Sequence, residues 1–178
     1  EKYPNQPLLF NLIGACYKSS GQLEGAAKMF GIAVKLNPNY SEAYFNLAEA
    51  ALKGFTGDDA QTMYESGITA SFDYWGATDV ATYLANPDVA YATAPGDWKV
   101  KIGNQLWLAM YNRGFEAWTS WRIYDTPTFN LPAVSGLPVP TRYTYPISEQ
   151  NLNETNWDAA STAIGGDEQT TKLFFDVN

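Results

Sequence analysis

Large and small apolar residues recur at helical spacing over residues 7–74. Phe10, Ile13, Gly14 and Tyr17 lie on one stripe, and Ala26, Phe30 and Ala33 on another, the spacing expected of amphipathic helices. Shifting the register by 34 residues sets Phe10 on Tyr44, Ile13 on Leu47, Gly14 on Ala48, Ala26 on Ala60, Phe30 on Tyr64 and Ala33 on Gly67. Large falls on large and small on small, which is how stacked helix pairs keep their backbones close while side chains fill the gaps. Gly21 falls where a turn inside the first pair needs an unhindered backbone, and Asn37-Pro38-Asn39 stops the second helix before Ser41 caps the third. Asp58 with Gln61 three residues on reads as the capping box of a fourth. The pattern predicts helices over 7–20, 23–36, 41–53 and 58–73.

From Ser71 onward this register fades and Trp, Tyr, Pro and Gly become frequent. A short helix is expected near 77–85, before Asn86-Pro87, and Asp97 offers an N-cap for a helical stretch reaching about Tyr124. Ile102, Leu106, Trp107, Met110, Tyr111, Phe115, Trp118 and Trp121 cover more than one stripe of it, so it is expected to be largely buried. Gly114 is placed to kink or divide it. Six-fold punctuation by Pro127, Pro132, Gly136, Pro138, Pro140 and Pro146 then predicts an extended loop, followed by an irregular tail through Gly165-Gly166-Asp167 and Thr170 to Asp176. The fold class that follows is mostly α, with stacked hairpins over 1–74 and an aromatic-rich region over 75–178 packed on them.

Composition narrows the function classes. A net charge of −8 and a pI near 4.4 oppose binding to nucleic acid or an anionic membrane face. One cysteine, Cys16, and no histidine remove an internal disulfide, the common zinc-ligand sets and the Ser-His and Cys-His dyads. Cys16, between Ala15 and Tyr17 in a helix, is expected to be a small buried filler. No stretch is long and apolar enough to span a bilayer, and the opening residues lack a signal-peptide pattern. Any targeting segment or lipid anchor is therefore expected outside this sequence. Asp58-Asp59, Asp79 and Asp167 could offer oxygens to calcium, but without the spaced acidic ladder of a calcium loop they read as caps and solvated charges. No cofactor, metal or catalytic residue is assigned.

Residues 7–40, on the nine positions from Phe10 to Pro38, resemble a near-consensus tetratricopeptide repeat, and 41–74 a degenerate one. That resemblance implies a concave face lined by the first helix of each pair, including Asn11, Ala15, Lys18, Phe45, Glu49 and Leu52. Some repeats of this kind capture peptide C-termini with amides and bases on that face. Ala15 and Glu49 stand where such a clamp would need them, so a peptide or protein at the groove of Asn11, Lys18, Phe45 and Glu49 would be held another way.

A second resemblance rests on Ala48-Glu49-Ala50-Ala51-Leu52-Lys53-Gly54, Tyr64-Glu65-Ser66-Gly67-Ile68, Ser71-Phe72-Asp73-Tyr74-Trp75-Gly76, Gly114-Phe115-Glu116-Ala117-Trp118 with Trp121-Arg122, Arg142-Tyr143-Thr144-Tyr145-Pro146 and the closing Thr-Thr-Lys segment. Over roughly 41–178 the chain is similar to the C-terminal part of SusD/RagB-type outer-membrane nutrient-binding lipoproteins. The resemblance implies a non-catalytic subunit that binds an oligosaccharide or other nutrient at the cell surface beside a TonB-dependent outer-membrane transporter. Members of that family are far longer, so the chain reads as a fragment, or as a fusion joined near Asn39-Tyr40-Ser41. A protein-interaction module and an engineered chimera without ligand are the alternatives.

Sugar rings stack on exposed aromatic faces, with amide, carboxylate or guanidinium groups bonding their hydroxyls. Trp75, Trp98, Tyr143, Tyr145 and Trp157 are the candidates, because they are expected in turns or irregular stretches. Arg122 is expected on an indole face or paired with Glu116 or Asp125.

Overall fold

The structure is a computed structural model that describes residues 6–174 and Asp176. Helix α1 (Pro7–Ser19) begins with proline at its first position, where the missing N–H costs nothing and φ is preset. Gly21, at φ 76°, turns the chain into α2 (Leu23–Leu36). The side chain of Asn37 accepts from the Asn39 amide at 3.0 Å and ends that helix. Helix α3 (Ser41–Leu52) follows, and Ser41 is not its cap: Tyr40 precedes the helix, while the Ser41 hydroxyl donates across to the Gly67 carbonyl at 2.6 Å. Asp59, rather than Asp58, caps α4 (Ala60–Trp75), accepting from the Thr62 amide at 2.7 Å. Its extended backbone aims the carboxylate over the first turn, and Gln61 reaches forward to Glu65 instead of back.

The two hairpins pack through paired large and small residues. A β-carbon added at Gly14 would lie 2.5 Å from the Phe30 ring, and one at Gly67 would lie 2.9 Å from the Phe45 ring. Ala26, Phe30, Ala33, Ala43 and Leu47 form one core cluster where α2 meets α3. A larger cluster joins Phe45, Tyr64 and Ile68 of the second hairpin to Ile102, Leu106 and Tyr124. Cys16 is exposed, against the expectation of a buried filler, because it shares the outer face of α1 with Leu8, Leu9 and Leu12.

Helix α5 (Val80–Leu84) is short. Asp97 caps α6 (Trp98–Ala109) through the Val100 amide at 3.1 Å, and α7 (Gly114–Tyr124) starts at the glycine that divides the aromatic stretch. Burial there is less complete than its composition predicts: Tyr111 is 82% exposed and Phe115 78%, since both sit at the break between the helices. Arg122 is buried with its guanidinium 3.9 Å from the Trp118 ring centre. Helices α5 to α7 belong with the hairpins to one compact unit ending at Pro127.

Thr128–Asn178 is a second compact unit. It holds α8 (Ile147–Leu152) and α9 (Glu154–Ala163) where an irregular tail was expected. The proline spacing that forbids helix ends at Pro146, which immediately precedes α8, and the alanines at 159, 160 and 163 favour helix in α9. The flanking loops are irregular, tied where the Thr141 amide donates to the Gln169 carbonyl at 2.8 Å. Phe175, within the closing motif, lies outside the described residues, as do residues 1–5. No helix among the described residues is long and apolar enough to cross a membrane.

Candidate functional site

Helix α4 ends in Tyr74-Trp75 and α6 runs out into Tyr111, so three aromatic rings meet at the surface of the first unit. Tyr74 and Trp75 pack edge to face with ring centres 5.0 Å apart, and Trp75 meets Tyr111 in the same manner at 6.0 Å. Their exposures are 66%, 42% and 82%. Leaving such area in water forgoes the burial that aromatic side chains normally supply. Exposed Asp73 and Asn112 adjoin them in sequence and supply an acceptor and an amide for hydroxyl groups. Trp75 was among the expected contacts. Tyr74 and Tyr111 were not, although the position of each just past the buried stripe of its helix was readable.

The expected repeat groove is arranged differently. Phe45 is fully buried, packed on Gly67 and Tyr64 of α4 in the core cluster that α6 joins, and Asn11 is 2% exposed, donating to Glu42 of α3 at 2.8 Å; neither lines an open face. Glu49 is buried and receives Lys18 and Lys53, each at 2.5 Å, and the Tyr124 hydroxyl at 2.6 Å. Burial alone would raise its pKa, but the charge of Lys18 and the hydrogen bonds from Lys18, Lys53 and Tyr124 outweigh that and hold it at about 2. Burial, then the neighbouring carboxylate, pushes the Tyr124 phenol well up, so it stays a neutral donor. Beside this hub lies a narrow cleft, open to solvent, between Leu23, Ala27 and Phe30 of α2 and Asn46 and Ala50 of α3. Trp98, expected in a turn, opens α6 and is half-buried, with Lys53 5.4 Å from its ring centre and Tyr124 against its edge at 6.5 Å. It serves the same hub.

In the second unit, Asp167 gathers Tyr145 and Trp157. Its carboxylate accepts from the Tyr145 amide at 3.0 Å and the Trp157 indole at 3.0 Å, and pairs with Arg142 at 2.9 Å. The Arg142 guanidinium lies 4.9 Å from the Tyr145 ring centre. Burial works against the Asp167 charge, but the Trp157 and Tyr145 hydrogen bonds and Arg142 lower its pKa. These groups organise the unit, and Trp157 is on α9 rather than in a loop. Tyr143 is 81% exposed. Asp167 is therefore engaged as an ion-pair partner and Asp59 as a cap; among the described residues no three acidic or thiol groups converge on a metal position.

Comparison with known proteins gives a consistent picture. A family model described as starch-binding, associating with outer membrane, matches residues 27–146. Among solved structures, a SusD-like protein of Bacteroidetes AC2a is 32% identical with a TM-score of 0.67, over 78% of this chain and 30% of its own. A chitin-binding protein matches at 32% identity and a TM-score of 0.60, over 78% and 33%. A chitin-binding SusD homologue from Flavobacterium johnsoniae matches at 28% and 0.60, over 78% and 36%. The chain thus spans about a third of the length of these structures. No curated protein matches the sequence.

Proposed function

This chain belongs to the SusD-like family, described as starch-binding and associating with the outer membrane, and from that membership we propose that it is part of a non-catalytic subunit binding glycans for nutrient uptake. The observation that carries the reading is the exposed edge-to-face cluster of Tyr74, Trp75 and Tyr111. Its rings offer faces on which sugar rings stack, and stacking tolerates variation in linkage and substituents. Tyr143 is a second exposed ring of the same kind, in the other unit. Trp98, Tyr145 and Trp157 instead hold the hub of Glu49 and the knot of Asp167. The ligand class is an oligosaccharide; two of the similar structures are named as chitin-binding, and the family description names starch.

The subunit would work at an outer membrane beside a TonB-dependent transporter. The family match begins at residue 27, inside α2, and runs through the junction expected near Tyr40, which favours one continuous chain over a fusion. Burial of Phe45 and Asn11 weakens the alternative of a peptide-binding groove.

Tryptophan fluorescence titrated with malto- and chito-oligosaccharides tests the reading. Saturable change is expected with one series, and Trp75→Ala or Tyr111→Ala should weaken it about tenfold, equivalent to about 1.4 kcal/mol. Binding that both variants leave intact would remove the cluster as the site, and no binding of either series would remove the glycan assignment from this chain.

A further inference from the structure

Tyr111, the most exposed ring of the aromatic cluster, stands on the break between α6 and α7 at residues 110–113. Met110 fastens the near end of that break in the main core. Within it the Tyr111 amide donates to the Leu108 carbonyl at 3.2 Å and the Arg113 amide to the Met110 carbonyl at 2.8 Å. The far end is looser by construction. Helix α7 opens without a side-chain cap, and Gly114 follows at once, with no atom within 4 Å of where a β-carbon would lie, so the chain can swing there at little steric cost. Arg113 sits at that loose end, just ahead of a helix N-terminus, where a cation works against the helix dipole. Its counterpart is Glu42 of α3, 71 residues away in sequence. One Glu42 oxygen takes Arg113 and the other accepts from the Asn11 amide at 2.8 Å, so the carboxylate is aimed before Arg113 arrives. The Glu42 side chain is 19% exposed, whereas Glu116, 3.9 Å from Arg113, is 52% exposed, and the drier pair is the less screened of the two.

We propose that Arg113 is a positioning residue for the aromatic site: paired with Glu42, it ties the far end of the α6–α7 break to α3 and so keeps the Tyr111 ring against Trp75, in the arrangement a sugar meets. The proposal rests on the reading of Tyr74, Trp75 and Tyr111 as the glycan-binding cluster. Arg113 acts through Tyr111 and not on the sugar. A ring already held in place gives up less freedom when a sugar stacks on it, which leaves more of the stacking energy for binding.

Fluorine NMR of the 178-residue chain labelled with fluorotryptophan tests the brace without any ligand. The resonance lost in Trp75→Phe belongs to Trp75, and Tyr111→Ala marks where it lies without its neighbour. Arg113→Ala should move it most of that way, and Arg113→Lys, which keeps a cation facing Glu42, should bring it back. A resonance that Arg113→Ala leaves unmoved overturns the proposal, as does a shift that Arg113→Lys leaves in place, since a cation paired with Glu42 is what the brace requires. Should Arg113→Ala not fold, Glu42→Gln, which removes the charge and keeps an acceptor for Asn11, is read in the same way. With whichever of the malto- and chito-oligosaccharide series binds, Arg113→Ala should weaken the dissociation constant about fivefold. In a Tyr111→Ala background it should weaken it no further; equal weakening in both backgrounds overturns action through Tyr111. If neither series binds while the Trp75 resonance moves as expected, the glycan reading falls and the hold of Arg113 on Tyr111 is upheld.

Discussion

Helices α1 and α3 occupy the same place in two successive hairpins, yet one is a surface helix and the other is embedded. Where α1 has Leu8, Asn11 and Ala15, α3 has Glu42, Phe45 and Glu49. Phe45 fills the main core. Glu42 accepts from Asn11 and pairs with Arg113, just ahead of α7, while Glu49 takes Lys18 of α1 and Tyr124 at the end of α7. Where α3 differs from α1, the differing side chains are therefore its attachments: Glu42 and Glu49 reach the first hairpin and the α6–α7 segment, and Phe45 enters the main core. The first hairpin, among the described elements, packs chiefly on its neighbour hairpin.

The strongest way to break this comparison is to remove the core ring on the embedded side. Phe45→Ala should cost about 3–5 kcal/mol, the range for deleting a buried aromatic, because the ring is fully enclosed and packs edge to face on Tyr64 at 6.1 Å. Asn11→Ala, at the matching place on α1, loses one hydrogen bond to Glu42 and should cost about 1–2 kcal/mol. Urea unfolding of the two variants measures both. An equal cost would mean that the second hairpin is no more embedded than the first.

A smaller effect comes from the buried carboxylate. Glu49→Ala should destabilise by about 3 kcal/mol, chiefly by stranding the buried Tyr124 hydroxyl, since Lys18 and Lys53 are partly exposed and can turn to water. Placing a glutamate at the matching Ala15, which is exposed, should change stability by less than about 0.5 kcal/mol. The same group gives a pH signature. Its folded pKa of about 2 lies below its ordinary 4.5, so its contribution is complete above about pH 4.5 and is lost as pH falls from there toward 2. That contribution is about 3 kcal/mol, in line with the substitution. Urea midpoints followed from pH 6 to pH 2 should fall less steeply in Glu49→Ala than in the unsubstituted chain; parallel curves would remove Glu49 as the linking group.

The hairpins were legible because their packing is local and periodic: spacing alone located α1 to α4 to within a turn, and Gly114 announced the break between α6 and α7. What spacing does not carry is which face finds a partner far along the chain. Cys16 and Phe45 both stand on amphipathic helices, but Phe45 packs on Gly67 and Tyr64 of α4 within the core cluster that α6 joins, while Cys16 stays exposed. The same holds for the aromatic candidates. Trp75 and Trp98 are alike as residues, but one ends a helix in solvent and the other begins a helix over the Glu49 hub. Helices α8 and α9 were hidden by the prolines before them, whose influence stops at Pro146.

Glycine substitutions sharpen the comparison at its finest scale, inside the first hairpin itself. Gly14 faces Phe30 across the α1–α2 contact, and an added β-carbon would lie 2.5 Å from that ring, so Gly14→Ala should cost about 1–3 kcal/mol as the ring shifts off its place. Gly31 lies in the middle of α2 with no atom within 4 Å of such a carbon. There the methyl group meets open space, while the unfolded chain loses the extra freedom of glycine, and Gly31→Ala should stabilise by about 0.5–1 kcal/mol. Thermal melts of the two variants should therefore move in opposite directions. Stabilisation at both positions would mean that α1 and α2 are held apart by more than the contact of Gly14 with Phe30 allows, and that the tight packing inferred from the 34-residue period belongs to the embedded hairpin alone.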